Sequence, residues 1–319
     1  MRTFGWVSAI ACSLLATVAH AQQYPSKPIR LVVPFPPGGA ADLTARVVVQ
    51  PLSEALGQKI VVENKPGADG VIAGNEVRGA APDGYTLLYG TNTGMCAAPA
   101  MHKNPPYDPI ADFTPIALIG KFGFFVFVNA EVPAKTMTEF IAYARKNPGK
   151  LNYGTGNSTS ILTTAQLLRN EKLNMVHIPF KGDAPASTEL LAGRIQLVIG
   201  TPASTLAHVK EGKVRVLATL LRARSPMLPD VPTMSEAGYQ PLTVQPYAAL
   251  YGPAKLPREV VQKLARAAAT VMARPEVREG VGRQAFEAQS STPEQLAAFH
   301  KEQLEIWRRS ARELNLTVD

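Results

Sequence analysis

The chain has 319 residues, a formal net charge of +8, and 46% hydrophobic residues, which is enough apolar material for two ordinary α/β domains. Its basic residues are scattered without interleaved aromatic residues or a reader motif, so a nucleic-acid partner is not expected.

The first residues have the pattern of an export signal. Arg2 precedes an apolar stretch over 4–18, and an A-x-A motif ends at Ala21. The stretch is shorter than the roughly 20 residues that a membrane span needs, and no later segment approaches that length. We therefore predict a signal peptide over 1–21, cleaved after Ala21, and a periplasmic protein. Cys96 is then the only remaining cysteine, so no internal disulfide is expected.

Short β-rich runs then alternate with helical stretches. The pattern predicts strands over 29–33, 60–63 and 86–89 and helices over 42–56 and 71–80. A second such unit has strands over 122–128, 151–153, 175–178, 195–199 and 214–218 and helices over 138–147, 160–170 and 185–192. This alternation favours parallel α/β layers.

The C-terminal part changes character after a Pro-rich passage over 226–246. One strand over 248–251 is followed only by helices, over 258–273, 275–283 and 293–314. A tail with so few strands should pack on the first unit, which makes the chain cross twice, near 122–125 and 245–248. We predict a first lobe of residues 22–123 and 247–319 and a second lobe of residues 124–246.

The first candidate binding loop leaves a strand and opens a helix, over 34–42. Its glycines allow close backbone approach, and the free N–H groups of a helix start suit a carboxylate or phosphate. Asp42 is placed either to cap this helix or to contact the ligand. The candidate residues are Phe35, Pro37, Gly38, Gly39, Ala40 and Asp42.

A second loop, over 153–160, again lies between a strand and a helix. It offers backbone donors and hydroxyls through Thr155, Gly156, Asn157, Ser158, Thr159 and Ser160. The same stretch nearly matches the dinucleotide motif G-x-G-x-x-G, so a nucleotide-binding Rossmann enzyme is a rival interpretation.

Further candidates are expected at the carboxyl ends of strands, where open α/β sheets bind ligands. They are Thr91, Asn92, Asp183, Ala184, Gly200 and Thr201. Each is equally typical of an ordinary turn.

Catalytic and metal motifs are missing from the sequence. It has no G-x-S-x-G elbow, no G-K-[ST] phosphate loop and no H-E-x-x-H, and its histidines lack metal-ligand spacing. We expect no enzyme activity, no metal and no cofactor. Phe122, Phe124, Phe125 and Phe127 predict a strand buried on both faces, with one ring free to face a pocket.

With these residues together, the chain resembles the substrate-binding proteins of tripartite tricarboxylate transporters, the TctC or Bordetella-uptake-gene type. The resemblance covers nearly the whole exported chain. It rests on ordered motifs at 24–30, 34–42, 61–68, 82–85, 107–109, 112–116, 180–182, 230–233 and 236–238.

The resemblance implies a periplasmic binding protein of type II, a two-lobed α/β flytrap with a double hinge crossover. One ligand carboxylate would lie between the 34–42 and 154–160 loops, and small carboxylates are the usual ligands. The implied partners are two transporter membrane proteins, although some relatives act as sensors, with a sensor kinase as partner. A monomer is expected.

Three positions depart from the family pattern as we align it. Ser158, Thr159 and Leu162 stand where relatives have glycine, serine and histidine. Gly200-Thr201 replaces an Asp-Asn pair suited to a ligand ammonium group, and Ala98 replaces an asparagine. The sequence therefore favours a dicarboxylate or an aromatic carboxylate over an amino acid. A sensor role and a carboxylate-processing enzyme remain alternatives.

Overall fold

The structure is a computed structural model that describes residues 24–317 with the exception of residue 243. The predicted signal peptide and its cleavage site lie outside these residues. Strand β1, Ile29–Val33, illustrates how the elements form, because the apolar run IRLVV buries four of its five residues. Such a run suits a strand covered on both faces.

The first sheet has six strands in the order β11-β4-β10-β3-β1-β2. The strands after β1 are β2 (Ile60–Asn64), β3 (Thr86–Thr91), β4 (Phe113–Phe122), β10 (Tyr247–Pro253) and β11 (Phe286–Ala288). Its helices are α1 (Ala40–Leu56), α2 (Val71–Arg78), α3 (Ala98–Met101), α8 (Arg258–Met272), α9 (Pro275–Gly282) and α10 (Pro293–Leu314). A 3-10 turn at Ala68–Gly70 and a π-helix at Thr93–Ala97 complete this lobe.

The second sheet has five strands in the order β7-β6-β8-β5-β9. They are β5 (Phe125–Asn129), β6 (Asn152–Thr155), β7 (Val176–Pro179), β8 (Leu197–Gly200) and β9 (Val214–Thr219). The helices of this lobe are α4 (Met137–Lys146), α5 (Ser158–Glu171), α6 (Asp183–Leu191) and α7 (Leu206–Lys210).

Both sheets are mixed, which corrects the expectation of parallel layers. Strands β1, β2 and β3 are parallel, as are β6, β7 and β8. Strand β10 instead runs antiparallel to β3 and β4, and β5 runs antiparallel to β8 and β9. Strands β4, β5, β9 and β10, which flank the two crossings of the chain between the sheets, all take part in these antiparallel pairs.

The first crossing is very short, because β4 ends at Phe122 and β5 begins at Phe125. Gly123 N donates to Ala285 O at 2.6 Å, whereas Leu220 N donates to Phe124 O at 2.8 Å. Backbone partners therefore change from one sheet to the other within two residues. The second crossing is residues 220–246, and Phe122 N donates to Pro246 O at 2.9 Å, so the two connections lie side by side.

Three sequence predictions about strands were wrong. The single strand over 122–128 is two strands that belong to different sheets. Most of β4 was missed, because Pro115 and Gly120 argue against a central strand; Pro115 is accommodated where the register with β10 shifts. Strand β11 was also missed, since three residues give no readable period. It pairs with β4, so the C-terminal part is not purely helical.

Buried apolar residues connect the two lobes. One cluster contains Ile29 of the first sheet and Ile199 of the second, both fully buried. A second cluster joins Leu162 on α5 to Leu304 and Trp307 on α10. None of the helices in the described part of the chain has the length and apolar character to cross a membrane.

Candidate functional site

A cavity of about 320 Å³ lies between the two lobes. Its walls come from the loops after β1, β3, β6, β7 and β8 and from the first crossing, so it lies where parallel strands end. The lining residues are Phe35, Pro36, Pro37, Gly38, Gly39, Ala40, Ala41, Thr91, Asn92, Thr93, Phe122, Phe124, Gly156, Asn157, Thr159, Lys181, Gly182, Asp183, Ala184, Pro185, Thr201, Ala203 and Ser204.

The first-lobe loop, residues 34–40, is anchored by the buried carboxylate of Asp42. Gly38 has a φ of 80°, in the left-handed region that favours glycine, and α1 begins two residues later. The Asp42 carboxylate accepts from Gly38 N at 2.9 Å, from Asn64 Nδ2 at 2.9 Å and from Arg46 Nε at 3.0 Å. Because Gly39 N also donates, to Pro36 O at 3.3 Å, the donors that remain available on the cavity side are the first N–H groups of α1, at Ala40 and Ala41.

The structure corrects the capping role expected of Asp42. The N-cap position is Gly39, and Asp42 lies in the first turn of α1, 1% exposed and outside the cavity lining. Burial opposes its ionisation, but hydrogen bonds from Arg46, Gly38 and Asn64 outweigh that effect and lower the pKa of Asp42. Asp42 is thus an ionised anchor of the loop.

The second-lobe loop is instead organised by side chains. Asn157 caps α5 by accepting from Ser160 N at 3.0 Å, and its amide donates to Asp183 Oδ1 at 2.9 Å. Asn92 of the first lobe donates to Thr159 Oγ1 at 2.6 Å. Side chains from both lobes therefore meet at the cavity wall.

Asp183 closes the second-lobe side of the cavity at the start of α6. Besides the Asn157 amide, it accepts from Thr201 Oγ1 at 2.7 Å and from Thr201 N at 3.4 Å. Burial raises the pKa of Asp183 even though these hydrogen bonds act in the opposite direction. A Cβ on Gly156 would lie 2.5 Å from Asp183 N, so only glycine fits beside this turn.

The rest of the cavity lining has few charged side chains and many neutral groups. Thr91 Oγ1 is buried and has no hydrogen-bond partner within residues 24–317. Lys181 and Asp183 are the only charged residues among those that line the cavity in the described chain. The rings of Phe35, Phe122 and Phe124 supply apolar wall. Asp183 already accepts hydrogen bonds from Asn157 and Thr201, so the neutral donors, the Lys181 cation and the apolar rings are left for a ligand, and they suit an organic anion.

Most sequence-predicted site residues come together at this cavity. Five lie outside its lining: Asp42, Thr155, Ser158, Ser160 and Gly200. Thr155 Oγ1 lies 2.7 Å from His177 Nε2, and Ser158 donates to Asp69. Gly200 lies beside Asp183, since a Cβ there would be 3.5 Å from Asp183 Oδ2.

Sequence reasoning left several lining residues off the site list. Phe122 and Phe124 were assigned mainly to a buried strand, and the break after Phe122 at Gly123 was the signal that they border a crossing. The others lie in or next to the candidate loops, and the positive charge of Lys181, two residues before Asp183, was the clearest signal among them; they are Pro36, Ala41, Thr93, Lys181, Gly182, Pro185, Ala203 and Ser204.

Two α/β lobes, joined by two adjacent crossings and enclosing a cavity at their strand ends, define a periplasmic-binding-protein-like fold. The model of the tripartite tricarboxylate transporter family receptor, TctC, matches residues 44–316. The chain belongs to this family, which is a family of periplasmic solute-binding proteins. The family resemblance drawn from the sequence motifs is thereby confirmed.

Individual relatives agree over almost their full lengths. The chain is 32% identical to the protein BugT of Bordetella pertussis, over 95% of this chain and 94% of BugT. A solved structure of Rpa4515 from R. palustris with adipate has a TM-score of 0.86 at 29% identity, covering 92% of this chain and 99% of that one. MatC from Rhodopseudomonas palustris with bound malate has a TM-score of 0.81 at 30% identity, with coverage of 90% and 99%.

Proposed function

We propose that this protein captures a small carboxylate, either a dicarboxylate or an aromatic carboxylate, and delivers it to the membrane components of a tripartite tricarboxylate transporter. The observation that carries the proposal is the cavity between the lobes, in which neutral hydrogen-bond donors face apolar rings. The two related proteins described above hold adipate and malate, which are both dicarboxylates.

One ligand carboxylate would bind across the cleft. The N–H groups of Ala40 and Ala41 at the start of α1 would approach it from the first lobe, and Thr159 would approach from the second. The buried Thr91 hydroxyl supplies a further donor that no neighbour in the described chain uses. Hydrogen bonds to a charged group contribute about 1.5–3 kcal/mol each, so a few of them sustain micromolar affinity after the cost of ordering.

The rest of the ligand would lie against Phe122 and Phe124, with Lys181 as the partner of a second acidic group. Lys181 is exposed, so its attraction is partly screened and selects between ligands more than it adds affinity. An aliphatic chain or an aromatic ring satisfies the apolar part equally well. The contacts thus favour two ligand classes and leave the choice to measurement.

We also propose that residues 22–123 with 247–319 move against residues 124–246. The two crossings lie side by side, as a hinge requires, and the carboxylate would bridge the loops of both lobes. Ligand binding would then shift the population toward the closed state. In this proposal residues 1–21 direct export to the periplasm and are removed after Ala21, and the protein carries out no covalent chemistry.

A thermal-shift screen tests the ligand class. The protein is refolded to remove bound solute and mixed with citrate, C4–C8 dicarboxylates, aspartate, glutamate, nicotinate, benzoate, phthalates and NAD. At a hundredfold excess over its Kd a true ligand adds about 2.7 kcal/mol, which raises the Tm by several degrees. A shift with carboxylates alone supports the proposal, whereas a shift with NAD alone would restore the Rossmann interpretation.

The variant Lys181→Met separates the two carboxylate classes. It should weaken the binding of dicarboxylates and leave the binding of benzoate unaffected, if Lys181 holds a second acidic group.

Deleting the gene in its host distinguishes transport from sensing. Lost uptake of the identified acid supports delivery to a transporter; intact uptake with lost induction supports the sensor alternative.

A further inference from the structure

Helix α5 of the second lobe is held to the first lobe at its first turn. Thr159 does this at the cavity wall through Asn92. Ser158 does it behind the wall, where its hydroxyl donates to the Asp69 carboxylate. Ser158 is completely buried. The two contacts come from consecutive residues of α5 but reach different segments of the first lobe, after β2 and after β3.

Asp69 occupies a costly position in the 3-10 turn that precedes α2. Its φ of 52° and ψ of 32° lie in the left-handed region that favours glycine. Burial also raises the pKa of its carboxyl group, partly offset by the bond from Ser158 and by the charge of His102. A strained backbone and a desolvated acid together suggest that the position is kept for what its carboxylate binds.

The 3-10 turn Ala68–Gly70 packs against the π-helix of its own lobe, which borders the cavity. A Cβ on Gly70 would lie 3.5 Å from the Cα of Gly94 in the π-helix. The Tyr107 hydroxyl in turn donates to Gly94 O at 2.7 Å. Asp69 is therefore fixed relative to Thr93, which lines the cavity in the same lobe.

Neither Asp69 nor Ser158 lines the cavity, so this hydrogen bond can affect a ligand only through the relative position of the lobes. We propose that the Asp69–Ser158 hydrogen bond is a closure latch, a contact that holds the closed arrangement of the lobes, which the ligand-free chain also populates, and slows release of the bound solute. The inference rests on the proposed function for the identity of the solute and for the closure of the lobes. Asp69 is thus a positioning residue that controls the dissociation rate.

The first experiment needs no ligand. Amide hydrogen exchange over residues 158–163 is measured for the full ligand-free chain and for Asp69→Gly, Ser158→Ala and the double variant. Glycine suits the backbone of position 69, so folding is preserved. Exchange in α5 should accelerate equally in both single variants and no further in the double one. Unchanged exchange in Asp69→Gly would overturn the latch.

The second experiment uses adipate as the probe and measures its release by stopped flow. Both single variants should release adipate about tenfold faster, as expected for one hydrogen bond to a charged group, with unchanged association and a non-additive double variant. Asp69→Asn keeps an acceptor for Ser158 and should restore slow release. If Asp69→Gly changes only the unfolding temperature, the hydrogen bond stabilises the fold without affecting release, and the latch is rejected. If adipate fails to bind the native chain, the proposed ligand is wrong, and the exchange experiment still decides the latch.

Discussion

The two loops that face each other across the cavity are built on different principles. The first-lobe loop, residues 34–40, presents backbone and is anchored from behind by Asp42 within its own lobe. The second-lobe loop, residues 154–160, presents side chains whose partners lie partly in the other lobe, as Thr159 does with Asn92. The first loop is therefore preorganised, whereas the second is completed only when the lobes are together.

Because of this difference, we expect the two loops to act at different stages of ligand binding. A preorganised donor set costs little conformational entropy when the ligand arrives and so suits initial capture. Contacts that form across the lobes are gained only on closure and so act mainly on release. Substitutions in the two loops should consequently have different signatures in folding, affinity and pH dependence.

The largest effect is expected from Gly156→Ala. The new Cβ would lie 2.5 Å from Asp183 N and 2.6 Å from its Oδ1, so the turn before α6 must move. We expect a loss of about 3 kcal/mol in unfolding free energy, at the upper end for overpacking, together with loss of ligand binding. Urea unfolding and isothermal titration with the ligand identified by the screen measure both quantities.

Gly39→Val is the matched change in the first loop. A Cβ on Gly39 meets only Pro36 O, at 3.4 Å, and the φ of −74° suits any residue. Binding should be abolished, because the larger side chain blocks approach to the backbone, while the unfolding free energy stays near the native value. Equal destabilisation by the two glycine substitutions would contradict the proposed difference between the loops.

The next largest effect is expected from Asp42→Ala. Gly38 N and Asn64 Nδ2 lose their buried acceptor, and the loop loses its anchor. We expect a stability loss of about 2 kcal/mol and weaker binding through slower association. Arg46→Ala is the control: its side chain is 52% exposed and should matter much less. A loss confined to faster release would argue against preorganisation.

How far the sequence predicted these features depends on whether the signal was local. The loop at 34–40 was readable, because a glycine pair between an apolar strand and a helix start has a local meaning. The true role of Asp42 was not readable, since its partner Asn64 lies 22 residues away on the next strand. An acid near a helix start predicts a cap by default.

The fold shows the same limit. Alternation correctly predicted strands and helices of both lobes, yet β4 was missed because a central strand with an internal proline depends on a shifted register with β10. Lys181, Phe122 and Phe124 reach the cavity only through the packing of the two lobes. The local signals, which are the break at Gly123 and the position of Lys181 two residues before Asp183, do not by themselves place these side chains at the cavity.

A smaller effect, on affinity alone, is expected from Thr91→Val. The Thr91 hydroxyl is buried beside the cavity without a partner in the described chain, so removing it should not lower stability. Ligand affinity should fall roughly tenfold, if the hydroxyl donates to the ligand carboxylate. Thr164→Val is the matched control, because Thr164 Oγ1 is equally unpartnered but lies outside the cavity lining. Equal affinities of the two variants would remove Thr91 from the site.

The smallest effect concerns pH and the second loop. Burial raises the pKa of Asp183 above its ordinary 3.8, so the folded protein holds this proton more tightly than the unfolded chain. Asp183 should therefore contribute a decrease in the unfolding free energy of the ligand-free protein as pH rises from 3.8 through the raised value, opposite in sign to the contribution of acids with a lowered pKa such as Asp42. Asp183→Asn should remove this slope, whereas Glu189→Gln, the same charge change on the same helix, should retain it. Urea unfolding of both variants across the acidic range measures how the unfolding free energy depends on pH. If the pH dependence of Asp183→Asn equals that of the native chain, another acid is responsible. Asp69, whose pKa is also raised by burial, is the next acid to test.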